Sequence, residues 1–256
     1  MIKIRRGIDI PLAGAADSNI DSSLNVRNVA LVGADYEGMK PTMAVSEGDT
    51  VRKGQIIFSD KKTLGINFTA PASGKVVALN RGARRVFQSL VIEIDDSLEP
   101  VDFGAHSLQE ARALSGEAIR NQLISSGQWT ALRARPYGKV ADPESQPAGL
   151  SLTAMDTHPL APDPAAIIAE HAEAFTLGQD LLAEMANCST YLCTAPGTDI
   201  PKGEHARVEL AEFSGPHPAG LAGTHIHFLM GASLGKIAWT VGYQDVIAVG
   251  YLFLKG

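Results

Sequence analysis

The stretch Asp163–Ala195, "DPAAIIAEHAEAFTLGQDLLAEMANCSTYLCTA", decides the class of fold. Asp163 suits an N-cap and Pro164 the first helical position, where a missing N–H costs nothing. Ile167, Phe175 and Leu182 are among the apolar residues of one long amphipathic helix running to Ala186. The following "STYLCTA" is short, apolar and β-branched at its ends, and reads as a strand. A helix feeding directly into a buried strand is one half of an α/β unit.

Working outward, the same alternation continues. Upstream, "SGEAIRNQLISSG" is a second helix, with Ser115 as N-cap, Glu117 in the first turn, Ile119 and Leu123 on one face and Gly127 past its end. "GLSLTAM" reads as a strand, as do "ARVELAEF" and "KIAWTV" downstream. The last is followed by an apolar helix in "DVIAVGYLFLKG". Strands alternating with helices predict a largely parallel, Rossmann-like layered sheet over residues 101–256. The terminal helix has no cap or polar tail, so its apolar face is expected to pack under a segment further along a longer protein.

Before Pro100 the rhythm is different. From Pro41 to Asp95, "EGDTVRKGQIIF", "FTAPASGKVVAL" and "VFQSLVIEID" are short strands punctuated by glycine and proline turns. Two similar halves of strand, turn and strand predict a small barrel-like sandwich. A boundary in "LEPVDFG", residues 98 to 104, divides a β module, residues 1–100 with an N-terminal strand, from the α/β module.

Bulk properties exclude several classes. Net charge is −6, from 22 basic and 28 acidic residues, which argues against a nucleic-acid partner. The clusters Lys3-Ile4-Arg5-Arg6 and Arg81-Gly-Ala-Arg84-Arg85 are short and read as solvated. Cys188 and Cys193 are five residues apart, which is neither a redox pair nor half a zinc site. They call for no oxidising compartment, so a cytoplasmic setting is expected. "MIKIRRGIDIPLAG" has basic residues but no apolar signal region after them, and no apolar run reaches the roughly 20 residues of a spanning helix.

Three stretches carry candidate chemistry. "EGDTVRKGQ", a hairpin and "APASGKV" resemble a biotinyl/lipoyl domain, whose carriers modify a lysine at the hairpin tip. Lys61 and Lys62 occupy that tip, but "SDKKTLG" is not the usual surround, so both are taken as unmodified and the fold as retained without the carrier role. In "GPHPAGLAGTHIHFL", His225 and His227 share a face if the segment is a strand, and His217 would be a third metal ligand. The motif carries no acidic or thiol ligand, and the preferred reading is structural histidines with no metal. In "SGQWTALRARPYGKV", bulky residues fill the interval between Gly127 and Gly138, which makes a poor phosphate cradle. Trp129 and Tyr137 would instead stack on a flat ring and the arginines donate to a carbonyl, or Trp129 simply anchors the loop.

Several long phrases coincide with one family. "SGQWTALRARPYGKV", "TAMDTHPLA", "FSGPHPAGLAGTHIHFL" and "YQDVIAVG" resemble the NqrA family, the A subunits of the bacterial sodium-translocating NADH:ubiquinone reductase. "GMKPTMAVSEGD", "FTAPASGKV" and "NRGARRVFQSLVIEI" do so as well. The resemblance implies a peripheral subunit on the cytoplasmic side of the bacterial inner membrane, in a six-subunit complex that passes electrons from NADH to ubiquinone and moves Na⁺ outward. It implies docking on the membrane subunits, especially the B subunit, a ubiquinone interaction, no tightly bound cofactor, and further C-terminal domains, one of them β-grasp-like. The α/β unit is also similar, more distantly, to the flavin- and NADH-binding subunit of complex I and its relative in the Rnf complex. Where that relative has a glycine-rich FMN loop, this chain has Thr130, Ala131, Leu132, Arg133 and Ala134, whose side chains argue against FMN. The family's link to quinone singles out Tyr36 and Met39 in "VGADYEGMKP", together with Trp129, Arg133, Arg135, Tyr137 and Lys139. No independent catalysis is expected of this chain; the competing readings are a stand-alone FMN- and NADH-binding oxidoreductase and a pure assembly scaffold.

Overall fold

The long helix of the α/β module is broken in two. In the computed structural model, which describes residues 1–14, 16, 17, 19–21 and 23–256, Pro164–Glu170 and Ala172–Ala186 are separate helices. His171, at φ −128° and ψ 28°, lies between them, and its ring shares a 2.9 Å hydrogen bond with the Tyr251 hydroxyl. The break frees the second helix to lie along the C-terminal helix, Tyr243–Lys255. Glycine makes that approach possible on both sides. A Cβ on Gly178 would strike the Val246 carbonyl, and one on Gly250 the Ala174 carbonyl. The apolar face expected to await a later segment is therefore covered inside the chain. Phe175, Leu177, Leu181 and Leu182 are fully or almost fully buried there, each contributing about 1.5–3 kcal/mol.

In chain order the strands are β1 (Ile2–Lys3), β2 (Asn28–Val32), β3 (Pro41–Met43), β4 (Thr50–Val51), β5 (Ile56–Asp60), β6 (Asn67–Thr69), β7 (Gly74–Arg81) and β8 (Phe87–Ile94). The α/β region adds β9 (Arg133–Arg135), β10 (Lys139–Val140), β11 (Leu150–Thr153), β12 (Thr190–Thr194), β13 (Val208–Ser214) and β14 (Ala238–Gly242). Its helices are α1 (Leu108–Arg112), α2 (Gly116–Ser126), α3 (Pro164–Glu170), α4 (Ala172–Ala186), α5 (Ala222–Leu229) and α6 (Tyr243–Lys255). The α2 caps are those expected: the Ser115 side chain accepts from the Ala118 N–H, and Gly127 ends the helix at φ 79°.

These strands form a seven-stranded sheet in the order β1-β13-β12-β11-β14-β9-β10. The first five run parallel to their neighbours; β9 and β10 are antiparallel additions. The period-2 alternation of the strands separates two faces. Leu150, Leu152, Leu192 and Val208 join the main core with α4 and α6, while Met155, Cys193 and Phe213 form a smaller cluster packed against Leu229 of α5. β1 belongs to this sheet, not to the β module that follows it in sequence, so the module boundaries read from the sequence exchange one strand.

The β module has two sheets, β2-β8-β7-β4 and β3-β5-β6, closed around Ile57, Phe58, Phe68, Val76, Leu90 and Ile92. Phe58 stacks on Phe68 at 4.6 Å and meets Phe87 edge-on at 5.2 Å. The β7–β8 hairpin turns at Arg84-Arg85. Both residues have positive φ, 55° and 61°, and the Val86 N–H closes the turn on the Ala83 carbonyl. Turns with two left-handed central residues strongly prefer Asn-Gly, so this pair is strained.

A candidate ligand pocket at the switch point of the sheet

From the C-terminal end of β11 the chain leaves through α3 and α4 towards β12, while β14, on the other side of β11, leads into α6. The strand order reverses here, and in open α/β sheets such reversals are where ligands bind. A cavity of about 480 Å³ occupies the place. Its walls come from Thr153 at the end of β11, Met155 just beyond it, Thr240–Gly242 of β14, the first turn of α6 and the Gly220–Ala222 entry to α5.

The antiparallel β9 supplies the charge. Its register sets Arg133 opposite Thr240 and Arg135 opposite Ala238, and the period of two turns both arginines to the cavity. Arg133 Nη1 and Arg135 Nε are buried and have no hydrogen-bond partner. The Arg133 guanidinium also lies over the Tyr36 ring, 5.0 Å from its centroid, where the ring quadrupole attracts it. Burial pushes the Tyr36 phenol above its ordinary range, with Arg133 opposing the shift. Asp245, in the first turn of α6, is likewise raised by burial, against the pull of Arg133 and Gln128. The pocket therefore combines two unsatisfied cationic donors, an aromatic ring and a carboxyl whose pKa burial raises. Asp156 and His158, which share a 2.6 Å hydrogen bond, line its rim.

Trp129 fixes β9 in place. Its Nε1–H donates to the Ala141 carbonyl at 2.8 Å, and its ring meets Trp239 edge-on at 5.5 Å. It is 1% exposed, so it stacks on no ligand; the anchoring reading holds for Trp129. The Thr130 and Leu132 N–H groups donate to the Gly127 and Trp129 carbonyls. Those amides are satisfied by the chain itself and offer no phosphate cradle.

The other sequence candidates are scattered. Tyr36, Arg133 and Arg135 meet in the pocket, whereas Met39 packs against the core and faces a neighbouring groove that Tyr36 also lines. Tyr137 and Lys139 sit on the exposed β9–β10 hairpin, 5.9 Å apart from ring centroid to Nζ, and take no part in lining the pocket. Lys62 Nζ donates to the Gly38 carbonyl at 2.7 Å and the Lys61 N–H to the Lys40 carbonyl. The histidine pattern is overturned: "AGTHIHFL" is helix α5, so His225 and His227 point about 200° apart. His225 is fully buried, its Nε2–H donating to the Ala219 carbonyl (2.9 Å) and its ring tilted against Phe213, and its pKa is lowered by burial to about 4. His227 is exposed, and the His217 ring bonds Thr157 instead. No cluster of three or more metal-ligating side chains exists among the described residues. The Cys188 and Cys193 thiols are pushed up by burial to about 11 and about 12, as inert small hydrophobes.

Sequence reading missed Gln128, Asp156, His158 and Asp245. Only the position of "GYQD" directly after an apolar strand, at the start of a helix, signals Asp245.

Fold and pocket together define a two-module protein: a barrel-sandwich β unit joined to an α/β unit with a switch-point cavity. The chain belongs to the NqrA family. Residues 2–95 match the NqrA N-terminal barrel-sandwich hybrid domain and residues 114–256 the NqrA second alpha/beta domain. It is 50% identical over 256 residues to the A subunit of the Na(+)-translocating NADH-quinone reductase of Alcanivorax borkumensis, and 50% to that of Pseudomonas aeruginosa. The corresponding protein of Yersinia pseudotuberculosis is 49% identical. Each alignment covers 100% of this chain and 57% of the relative, so the chain spans little more than half the length of these relatives.

Proposed function

We propose that the chain serves as part of the A subunit of a Na⁺-translocating NADH:quinone oxidoreductase and that its switch-point pocket receives the quinone head group. The observation carrying this reading is the pair of buried, unpartnered donors on Arg133 and Arg135 beside the Tyr36 ring. A quinone carbonyl accepts such hydrogen bonds, and a guanidinium favours the oxygen more as it gains negative charge on reduction. Asp245, with its raised pKa, is placed to hold a proton that a reduced oxygen requires. FMN has no part in this reading, because the Thr130 and Leu132 amides are already engaged. The chain positions quinone, electrons arrive from cofactors in other subunits, and docking is on the membrane-embedded B subunit from the cytoplasmic side.

Titration of the purified chain with a short-chain ubiquinone, followed by quenching of Trp129 and Trp239, tests the assignment. Saturable binding weakened on the order of tenfold in Arg133→Met is expected, the effect of one lost charged hydrogen bond. Absence of saturable binding, or unchanged affinity in both Arg133→Met and Arg135→Met, would sink it.

A further inference from the structure

A second concave surface lies in the β module. A groove of about 790 Å³ runs from Tyr36 to the strained β7–β8 turn, and Lys40, Lys62, Arg81, Arg84 and Arg85 line it against a single acid, Glu37. On a chain of net charge −6, this is a concentrated patch of the opposite sign. None of these five cations forms an ion pair with an acidic side chain among the described residues. The two residues at the turn are both arginine in left-handed backbone, where Asn-Gly is the unstrained choice. Strain retained at an exposed turn points to a use for the side chains it displays.

The apolar residues beside the cations narrow that use. Val86, next to Arg85, is 62% exposed, and Leu64, in the loop carrying Lys61 and Lys62, is 87% exposed. Each of two neighbouring loop tips thus pairs cations with a bare aliphatic side chain. A small anion would engage one tip and leave the aliphatics in water. An extended anionic, partly apolar surface engages both, with headgroups meeting the cations and acyl chains the aliphatics.

We propose that the Arg84-Arg85 turn and the Lys62 loop form a contact site for anionic phospholipid headgroups at a bilayer surface. This goes beyond the quinone reading and does not depend on it. The test is sedimentation of the purified chain with vesicles of phosphatidylcholine alone and of phosphatidylcholine with about one-third phosphatidylglycerol, at low and high salt. Binding only to the phosphatidylglycerol vesicles, lost at high salt, is expected. Arg84→Asn with Arg85→Gly, which relaxes the turn and so keeps the fold, should weaken it about thirtyfold. Arg5→Glu with Arg6→Glu, at a basic cluster outside the groove, should bind more nearly as the parent does. Equal binding to both vesicle types, or no loss in the Arg84→Asn/Arg85→Gly chain, overturns the proposal. So does a turn variant that holds vesicles normally but no longer copurifies with its partner subunits, which would make the patch a protein-docking surface. Quinone titration of the same variant keeps this outcome separate from the fate of the pocket.

Discussion

Two hairpins of this molecule carry paired arginines, and they present them in opposite ways. The β9–β10 hairpin holds Arg133 and Arg135 half-buried on a β-strand, each with one buried and unpaired donor atom. The β7–β8 hairpin holds Arg84 and Arg85 in water, on backbone that neither residue prefers. In the first, the cost lies in desolvated charge; in the second, it lies in dihedral angles. One residue type therefore lines a cavity with shielded donor atoms where tertiary packing covers it and forms an open electrostatic surface where it does not.

The largest test of this contrast removes what holds the first hairpin. Trp129→Ala deletes a fully packed indole and its bond to Ala141, and should cost about 3–5 kcal/mol in urea unfolding. A loss under about 1 kcal/mol would mean that Trp129 does not anchor β9. The second asks whether burial governs cation chemistry more generally, using His225, the most enclosed basic group. Its folded pKa, about 4, lies below the ordinary 6.5, so its contribution to stability is complete above pH 6.5 and is lost as pH falls through 4. The loss should approach about 3 kcal/mol, and it should vanish in His225→Gln. Parallel pH profiles of the two proteins between pH 7 and 4 would refute this.

Third, Arg133→Met should change unfolding stability by less than about 1 kcal/mol, because the lost attraction to the Tyr36 ring and to Asp245 is offset by removal of a charge whose buried Nη1 makes no hydrogen bond. A large loss of stability would reveal Arg133 as a structural strut. The smallest effect has the opposite sign: Arg84→Asn with Arg85→Gly should stabilise the chain by about 1 kcal/mol through relief of the left-handed pair. Unchanged or lower stability would show that the turn is not strained.

Much of the fold was legible because its signals are local. The Ser115 and Gly127 caps of α2, and the apolar strands at 150–153 and 190–194, depend on neighbours along the chain. The failures share a different cause. A histidine in "THIHFL" alternates as a strand would, yet the segment is a helix that covers the second face of the sheet. The single helix expected after Pro164 breaks at His171, where a partner 80 residues away on α6 takes its ring. Trp129 has the chemistry of a ring stacker, but Trp239, distant in sequence, packs on its ring and the Ala141 carbonyl takes its Nε1–H.

The sequence by itself determined the two modules, their helix and strand content and the family, since these rest on periodicity, caps and long shared phrases. Only the tertiary structure decided which of the candidate residues act together. Tyr36, Arg133 and Asp245 meet because an antiparallel strand was added to the edge of a parallel sheet and the β module was laid beside it. Whether a guanidinium is paired, buried or free depends on what lies across from it, and no local pattern encodes that neighbour.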